Sequence, residues 1–234
     1  MTSSAVPHDV VDFWFDPICG WSWIGSRWLI EASERRPIML RWHPFALAVR
    51  EDDPPSAGTG ERLHELSKRF VRVSAAVAAN HDNDAVDAFY TALGSRVHGS
   101  GGLFAAVRAA SAEDLTDARV AALMQAGPVI DAALADAGLP AGLAAAMDAQ
   151  SWDDRLLAAR RALPAGRFET SPVGVPMISV NGGAALFGPV VGKIYRGVDA
   201  ALFWDAFRFL AGQESFFELR RAVTRPPIRE YLTD

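Results

Sequence analysis

The chain of 234 residues has a single cysteine, Cys19, and therefore cannot form an internal disulfide. Structural disulfides belong to oxidising compartments, so their absence fits a reducing compartment such as the cytoplasm. The opening segment, MTSSAVPHDVV, has neither the basic region nor the apolar region of a secretory signal. The sequence therefore predicts a cytoplasmic location.

A basic excess and long apolar runs are also missing. The formal net charge of −5 leaves no surplus of cations to neutralise phosphates, which argues against a nucleic-acid partner. No apolar run approaches the length of a membrane span, so no membrane partner is expected. The five histidines show no metal-ligand spacing. The sequence predicts no metal, and it carries no fingerprint of a bound flavin or nicotinamide.

The first part of the chain predicts a parallel β-α-β unit. Residues 10–16, VVDFWFD, are typical of a buried strand, which Pro17 ends. The spacing of the apolar residues that follow predicts a helix over residues 20–33. The segment IMLRWHPF, residues 38–45, predicts a second strand. A strand, helix and strand in so short a segment indicate a right-handed crossover.

The next hundred residues have helical character, interrupted by HGSGG at residues 98–102. Apolar stripes predict two helices before this interruption, and four Ala-rich helices are expected after it, over residues 103–110, 117–126, 128–137 and 151–162.

The β pattern returns near the C-terminus. The segment VPMISV, residues 175–180, predicts a strand, NGG a hairpin turn, and AALFG the partner strand. A final helix is expected over residues 200–211, with Asp199 as its cap and Gly212 as its end.

The summed order is β-α-β, a helical block, then β-β-α. This is the α/β thioredoxin fold with an inserted all-helical domain. The predicted thioredoxin-like domain is discontinuous, over residues 8–50 and 168–228, and the inserted helical domain covers residues 58–165.

Cys19 is the first candidate for a catalytic residue. A buried free cysteine is often only a small apolar residue. Here, however, it lies just past a predicted strand end and at a predicted helix start, where unpaired N–H groups and the helix dipole favour an anion. Such a position can lower a thiol pKa by one to several units, and the thiolate is the nucleophile. We therefore expect Cys19 to react as a thiolate.

Ser22 stands where a Cys-x-x-Cys motif has its second thiol, which makes the motif Cys19-Gly20-Trp21-Ser22. A serine hydroxyl one turn into the helix can donate a hydrogen bond to the thiolate, but it cannot close a disulfide. The chemistry that remains is monothiol exchange, with release by an external thiol. An ordinary structural role for this serine is equally compatible with the sequence.

Other residues near the motif are weaker candidates. Asp16 either modulates the pKa of Cys19 or, more simply, caps the turn at Pro17. Asp12 lies within an apolar strand and needs a partner if it is buried. Trp21 is either a wall for a flat substrate or part of the core.

Seven blocks spread over most of the chain together resemble the DsbA-like family of actinobacterial mycothiol-dependent nitroreductases. They are DFWFDPICGWSWIGSRW, RWHPFALAV, FYTALGSRVH, ALADAGLP, VGVPMISV, LFGPVV and FFELRR. The resemblance implies a cytoplasmic, usually dimeric thioredoxin-fold oxidoreductase that uses the low-molecular-weight thiol mycothiol and reduces nitroaromatic compounds and disulfides.

Residue by residue, the resemblance places the nucleophile at Cys19 and the substrate-facing cis-proline at Pro176, after Val175 where relatives often have threonine. The chain departs from the Cys-Pro-x-Cys pattern of the family at Gly20 and Ser22. That departure puts dithiol exchange in doubt. The backbone N–H of Gly20 is expected to be available to the thiolate.

Two alternatives stay open. The segment SWIG, with Asp16 before the motif, also resembles kappa-class glutathione transferases and 2-hydroxychromene-2-carboxylate isomerases. In that case Cys19 or Ser22 would stabilise a bound thiolate without forming a covalent bond. The third possibility is a non-catalytic binding protein on the same scaffold.

Overall fold

The structure is a computed structural model of the chain, and it describes residues 8–49, 59–111, 113–164 and 174–222. The predicted domain boundaries at residues 50, 58, 165, 168 and 228 lie outside the described residues. The division into two domains therefore stays a prediction. Within the described ranges, no helix combines the length and the apolar character needed to cross a membrane.

The predicted β-α-β unit is present at the start of the chain. Strand β1 (Asp9–Phe15) and strand β2 (Ile38–Pro44) pair in parallel, and helix α1 (Gly20–Ser33) connects them. A parallel pair requires a crossover of this kind, because a tight turn can join only antiparallel strands. The predicted helix over residues 20–33 is confirmed.

The C-terminal β-hairpin completes the sheet. Strand β3 (Met177–Val180) runs antiparallel to β1, and strand β4 (Leu186–Phe187) runs antiparallel to β3, so that the described strands have the order β2-β1-β3-β4. The turn after β3 uses Asn181 and Gly182, both at positive φ (54° and 74°), which a tight hairpin turn requires. The predicted turn is confirmed, but both strands are shorter than expected. Pro176 has no N–H to donate to the ladder, and β3 begins after it.

Helices make up most of the described chain between β2 and β3. They are α2 (Thr59–Asn80), α3 (Asn83–His98), α4 (Leu103–Ala109), α5 (Leu115–Met124), α6 (Ala126–Asp136), a 3-10 segment (Ala141–Asp148) and α7 (Ser151–Arg161), and helix α8 (Gly197–Ala211) follows the hairpin. This mixed α/β order is compatible with a thioredoxin-like fold.

One hydrophobic core joins the sheet to the helices. Phe13 and Phe15 point from one face of β1 into a cluster that includes Trp28 of α1, Phe70 of α2 and Phe89 of α3, all buried. The helical segment therefore packs directly on the sheet. The opposite face of β1 contributes a smaller cluster, which lies beside the cysteine.

The expected details of α8 are partly wrong. The helix begins at Gly197 rather than after Asp199, and its N-cap residue, Arg196, makes no side-chain capping bond. Asp199 lies in the first turn, where a negative charge still favours the helix dipole. The buried face centres on Trp204, because Trp28 of α1 lies against it with ring centroids 6.4 Å apart.

Candidate active site

A short turn carries the chain from β1 to α1 and places Cys19 at the helix start. The carboxylate of Asp16 accepts a hydrogen bond from the Ile18 N–H at 3.1 Å, and the Asp16 carbonyl accepts one from the Cys19 N–H at 2.9 Å. The predicted capping contact of Asp16 is present. Cys19 is the N-cap of α1, with extended backbone angles, and its carbonyl accepts the Trp23 N–H at 3.0 Å.

The hairpin brings Val175 and Pro176 to the cysteine across 156 positions of sequence. The Cys19 Sγ–H group donates to the Val175 carbonyl oxygen at 3.5 Å. The Val175–Pro176 peptide bond is cis. The Gly188–Pro189 bond is also cis, although no sequence pattern indicated it. The structure thus brings together the cysteine and the two hairpin residues that the sequence singled out.

Hydrocarbon surrounds much of the Cys19 side chain, which is only partly exposed to solvent. It packs against a cluster of buried residues, Trp14, Phe45, Val175 and Met177. Loss of water disfavours a charge, and this burial raises the pKa of the Cys19 thiol above its ordinary value. The nearby charge of Asp16 acts in the same direction. The pKa of Cys19 is thus raised, which is opposite to the lowered pKa expected from its place at the helix start.

The amides at the start of α1 oppose this effect without overcoming it. The Ser22 hydroxyl and the backbone N–H groups of Ser22 and Trp21 favour the thiolate and lower the pKa of Cys19. An N-cap side chain reaches the second and third N–H groups of its helix, which are those of Trp21 and Ser22. The N–H of Gly20, which we expected to serve the thiolate, belongs to the first helical residue instead.

Asp16 is fully buried and connects three segments of the chain. Besides the bond to Ile18, its carboxylate accepts the Ser67 hydroxyl at 2.6 Å and the Leu47 N–H at 3.0 Å. Burial raises the pKa of Asp16, and these three hydrogen bonds partly offset that rise. The residue thus fixes the turn that holds Cys19 and also places a negative charge near the sulfur.

The remaining residues of the motif differ in exposure. Ser22 is fully buried, and its hydroxyl makes no hydrogen bond of normal geometry with any described residue. Trp21 is half-buried, whereas Trp23 lies in the core with 3 % of its surface exposed. Of the two tryptophans, only Trp21 is available to a substrate.

Sequence reasoning missed two residues that α3 brings to the motif. The Nε2 atom of His98 lies 2.9 Å from the Pro17 carbonyl oxygen, and the His98 ring stacks on Trp23 at 6.0 Å. Tyr90 stacks on Phe15 with ring centroids 3.8 Å apart. The sequence placed Tyr90 in the apolar stripe of a predicted helix and His98 at the start of HGSGG, and both lie in FYTALGSRVH, a block that carries the family resemblance, but none of these signals indicated a place beside the motif.

Asp12 finds the partner that a strand carboxylate needs. Its Oδ1 atom lies 2.7 Å from Nε2 of His43 on β2, and the His43 ring stacks on Trp14 at 4.9 Å. This pair supports the wall of hydrocarbon beside Cys19. Among the described residues, no group of three histidine, cysteine, aspartate or glutamate side chains is placed to hold a metal ion.

The site and the mixed α/β fold are together compatible with the class of thioredoxin-like proteins, with a cysteine at the start of the first helix next to a proline-preceded strand. The chain belongs to the Rv2466c-like family. The model of this family, described as mycothiol-dependent nitroreductase Rv2466c, matches residues 18–221.

The chain is also similar to a protein of Mycobacterium tuberculosis (strain ATCC 25618 / H37Rv), the uncharacterized protein Rv2286c. The two are 26 % identical over 211 residues, which cover 90 % of this chain and 81 % of the relative. The family resemblance that the seven sequence blocks indicated is confirmed by the family model, which matches residues 18–221.

Proposed function

We propose that the protein is a cytoplasmic thiol-dependent oxidoreductase that acts through the single nucleophile Cys19. The observation that carries this proposal is the position of Cys19 at the N-cap of α1, with its Sγ–H group directed at the Val175 carbonyl next to Pro176. Membership of a family described as mycothiol-dependent supports mycothiol, or a similar low-molecular-weight thiol, as the co-substrate.

The proposed covalent step is a thiol–disulfide exchange. The Cys19 thiolate attacks one sulfur of a low-molecular-weight disulfide, an S–S bond to Cys19 forms, and the S–S bond of the disulfide breaks. The second sulfur leaves as a thiolate, and the proton of Cys19 passes to solvent. Because Ser22 has no sulfur, a second external thiol must break the mixed disulfide and restore Cys19.

Ionisation of Cys19 has a second consequence in this scheme. The Val175 carbonyl accepts the thiol hydrogen in the resting structure, and loss of the proton leaves that carbonyl free. An amide N–H of the bound thiol can then pair with it, as one strand pairs with another. Asp16, Gly20, Trp21, Val175 and Pro176 would form the walls and hydrogen-bonding groups of this site.

Nitroaromatic compounds are the proposed oxidants, on the basis of the family description. Reduction of a nitro group to a nitroso group consumes two thiols and yields one disulfide and one water. Cys19 and one molecule of mycothiol would supply these two thiols. The scheme requires no bound metal, flavin or nicotinamide.

Intact-mass measurement after incubation with mycothiol disulfide tests the proposal. We expect one covalent adduct, which is absent from Cys19→Ser and retained in Ser22→Ala. Because burial disfavours the thiolate, the adduct should form faster as the pH rises. No adduct at any pH would reject a covalent role for Cys19.

A second candidate function is favoured by the neutral state of the thiol. With its pKa raised, Cys19 stays an S–H donor near neutral pH, and the buried Ser22 hydroxyl is a second donor. Together they would hold the thiolate of a bound cofactor without a covalent bond, as in a thiol transferase or isomerase. This function predicts that Cys19→Ser retains appreciable activity, whereas complete loss contradicts it.

We further propose that the protein is a homodimer. Val198, Leu202 and Phe209 project from one side of α8 and are 69 %, 58 % and 67 % exposed. An exposed apolar stripe of this kind is typical of a protein–protein contact. Light scattering of the wild type and of Leu202→Glu tests the proposal: a monomeric wild type would contradict it, and a dimer that the substitution does not weaken would place the contact elsewhere.

A further inference from the structure

The end of helix α7 reaches the hydrocarbon wall beside Cys19. Four buried residues form this wall: Trp14, Phe45, Val175 and Met177. Leu163, two residues past the end of α7, packs against the wall, as Cys19 does. The Arg160 guanidinium, in the last turn of α7, lies 5.1 Å from the centroid of the Phe45 ring. The helical segment thus contributes to a wall whose buried members come from β1, from β3 and from the residues next to β2 and β3.

Contacts on both sides of Leu163 hold it in place. At the start of α7, both carboxylate oxygens of Asp153 accept hydrogen bonds at 2.7 Å, from Nε and Nη2 of the buried Arg72 on α2. Paired bonds between a guanidinium and a carboxylate are strong and fix a geometry. Directly after Leu163, the Pro164 carbonyl accepts the Ala185 N–H of the hairpin at 2.9 Å. Leu163 is therefore anchored through its helix and through the hairpin.

Half-buried side chains mark the border between the wall and solvent. Four such side chains, among the residues that the structure describes, pack against the wall: Cys19, Leu47, Leu163 and Ala185. The Leu47 N–H donates to the Asp16 carboxylate at 3.0 Å, so this residue belongs to the turn that holds the cysteine. Ala185 contributes only a methyl group. Leu163 is thus the large side chain that the helical segment supplies at this border.

We propose that Leu163 is a specificity-determining residue that limits the bulk of the disulfide that Cys19 attacks. In the exchange, the Cys19 thiolate forms an S–S bond to the nearer sulfur, the S–S bond of the reactant breaks, and the farther sulfur leaves as a thiolate. The three sulfurs lie nearly in a line during this displacement. The group on the central sulfur must therefore fit beside Cys19, against the wall and Leu163.

This geometry favours low-molecular-weight disulfides over protein disulfides. A narrow, flexible reactant can place its central sulfur at Cys19 and keep the rest of its bulk in solvent. A protein disulfide brings main chain on both sides of each sulfur, and a leucine at the border obstructs it. The inference rests on the proposed function, in which Cys19 attacks a disulfide, and it adds the class of disulfide that is accepted.

The test compares two thiosulfonates that have the same reactive group and differ in bulk. Methyl methanethiosulfonate and cyclohexyl methanethiosulfonate each transfer their alkylthio group to the Cys19 thiolate, and methanesulfinate leaves in both cases. The ratio of the two rates at one pH does not depend on the ionised fraction of Cys19, because both reagents react with the same thiolate. The ratio therefore measures the room beside the sulfur separately from the pKa.

Substitutions at position 163 should move this ratio in both directions. In Leu163→Ala, the rate for the cyclohexyl reagent relative to the methyl reagent should rise by about fivefold or more, the effect expected when one steric clash is relieved. In Leu163→Phe, the same ratio should fall. The matched control is Leu157→Ala: Leu157 is also half-buried and lies on α7, but it packs on a different cluster, which includes Val49 and Val71. Its ratio should equal that of the wild type.

The outcomes separate this inference from the proposed function. An unchanged ratio in both variants of Leu163 would overturn the inference, and so would an equal rise in Leu157→Ala, which would indicate general loosening of the helical segment. The thiosulfonates report access to Cys19 whether or not the protein exchanges disulfides. If wild-type Cys19 forms no adduct with mycothiol disulfide, the proposed function fails, even where the ratios move as expected.

Oxidised insulin extends the test to a protein disulfide. Intact-mass measurement follows the mixed disulfide that Cys19 forms with insulin and, in a parallel reaction, with mycothiol disulfide. The wild type should react more slowly with insulin than with mycothiol disulfide, and Leu163→Ala should narrow this difference whereas Leu157→Ala should not. Equal rates for the two disulfides in the wild type would contradict the preference for low-molecular-weight disulfides.

Discussion

His98 and Pro17 join the helical segment to the turn that carries the cysteine. Nε2 of His98 lies 2.9 Å from the Pro17 carbonyl oxygen, although the two residues are 81 positions apart in sequence. Both are buried, so this carbonyl depends on the imidazole for its hydrogen bond. The position of Cys19 is therefore set partly by α3.

Replacing the imidazole should destabilise the protein and disturb the turn. His98→Phe keeps a ring against Trp23 but leaves the buried Pro17 carbonyl unpaired, and we expect a loss of about 1–3 kcal/mol in the free energy of unfolding. Urea denaturation measures this loss. His8→Phe, at an exposed position, is the control and should unfold as the wild type does. Equal midpoints for both variants would contradict a structural role for His98.

Removing the charge of Asp16 should make Cys19 ionise at lower pH. Above its own raised pKa, Asp16 is negative and opposes formation of a second negative charge at the sulfur. In Asp16→Asn that repulsion is gone, so the midpoint of the rate of iodoacetamide alkylation of Cys19 against pH should move down. Asp199→Asn, at an exposed position on α8, should leave the midpoint in place. A midpoint that rises in Asp16→Asn would show that its hydrogen bonds matter more than its charge.

Supplying a second sulfur at position 22 should convert monothiol chemistry to dithiol chemistry. In Ser22→Cys, a thiol one turn into α1 can attack the mixed disulfide at Cys19, so the bound thiol should be released and an internal disulfide should form. The mass of the protein should then lie two hydrogens below that of the reduced variant. Ser26→Cys, a further turn along the same face, is the control and should keep the adduct. Persistence of the adduct in Ser22→Cys would mean that this site cannot accommodate an internal disulfide.

A methyl group at Gly94 should disrupt the packing between α1 and α3. A Cβ atom there would lie 2.2 Å from the Trp23 ring, whereas one at Gly101 would meet nothing within 4 Å. Alanine favours a helix by about 1 kcal/mol over glycine, but overpacking a core costs about 1–3 kcal/mol. Tyr90 and His98 hold the Trp23 ring on other sides, so the ring cannot easily move away from the added methyl group. The cost of overpacking should therefore exceed the gain from the helix preference of alanine. Thermal unfolding of Gly94→Ala should come at lower temperature than that of Gly101→Ala; the reverse order would show that Trp23 can move.

Local patterns in the sequence predicted the elements that carry the site well. The apolar spacing after Pro17 located α1 to the residue, and the NGG turn located the hairpin that carries Val175 and Pro176. Both signals are local, because helix spacing and turn chemistry depend on neighbours in the chain. The sequence placed the start of α8 too late, because Asp199 is a residue type that often caps a helix. In the structure, Asp199 lies inside the first turn of a helix that begins at Gly197.

The chemical state of the site depended on contacts between distant residues. A lowered pKa was expected for Cys19 because its place at a helix start is visible in the sequence, while the cluster of Trp14, Phe45, Val175 and Met177 around it is not. Desolvation by that cluster outweighs the helix amides. His98 and Tyr90 were missed for the same reason, since nothing near either residue in the chain shows that α3 packs on α1.

By itself, then, the sequence determined the order of strands and helices, the position of the one thiol at a helix start, and the absence of a second sulfur to resolve a disulfide. Only the tertiary structure decided how readily that thiol ionises. The physical reason is that hydrogen bonds along a helix are local, whereas exclusion of water from a sulfur requires side chains from several separate segments to meet around it.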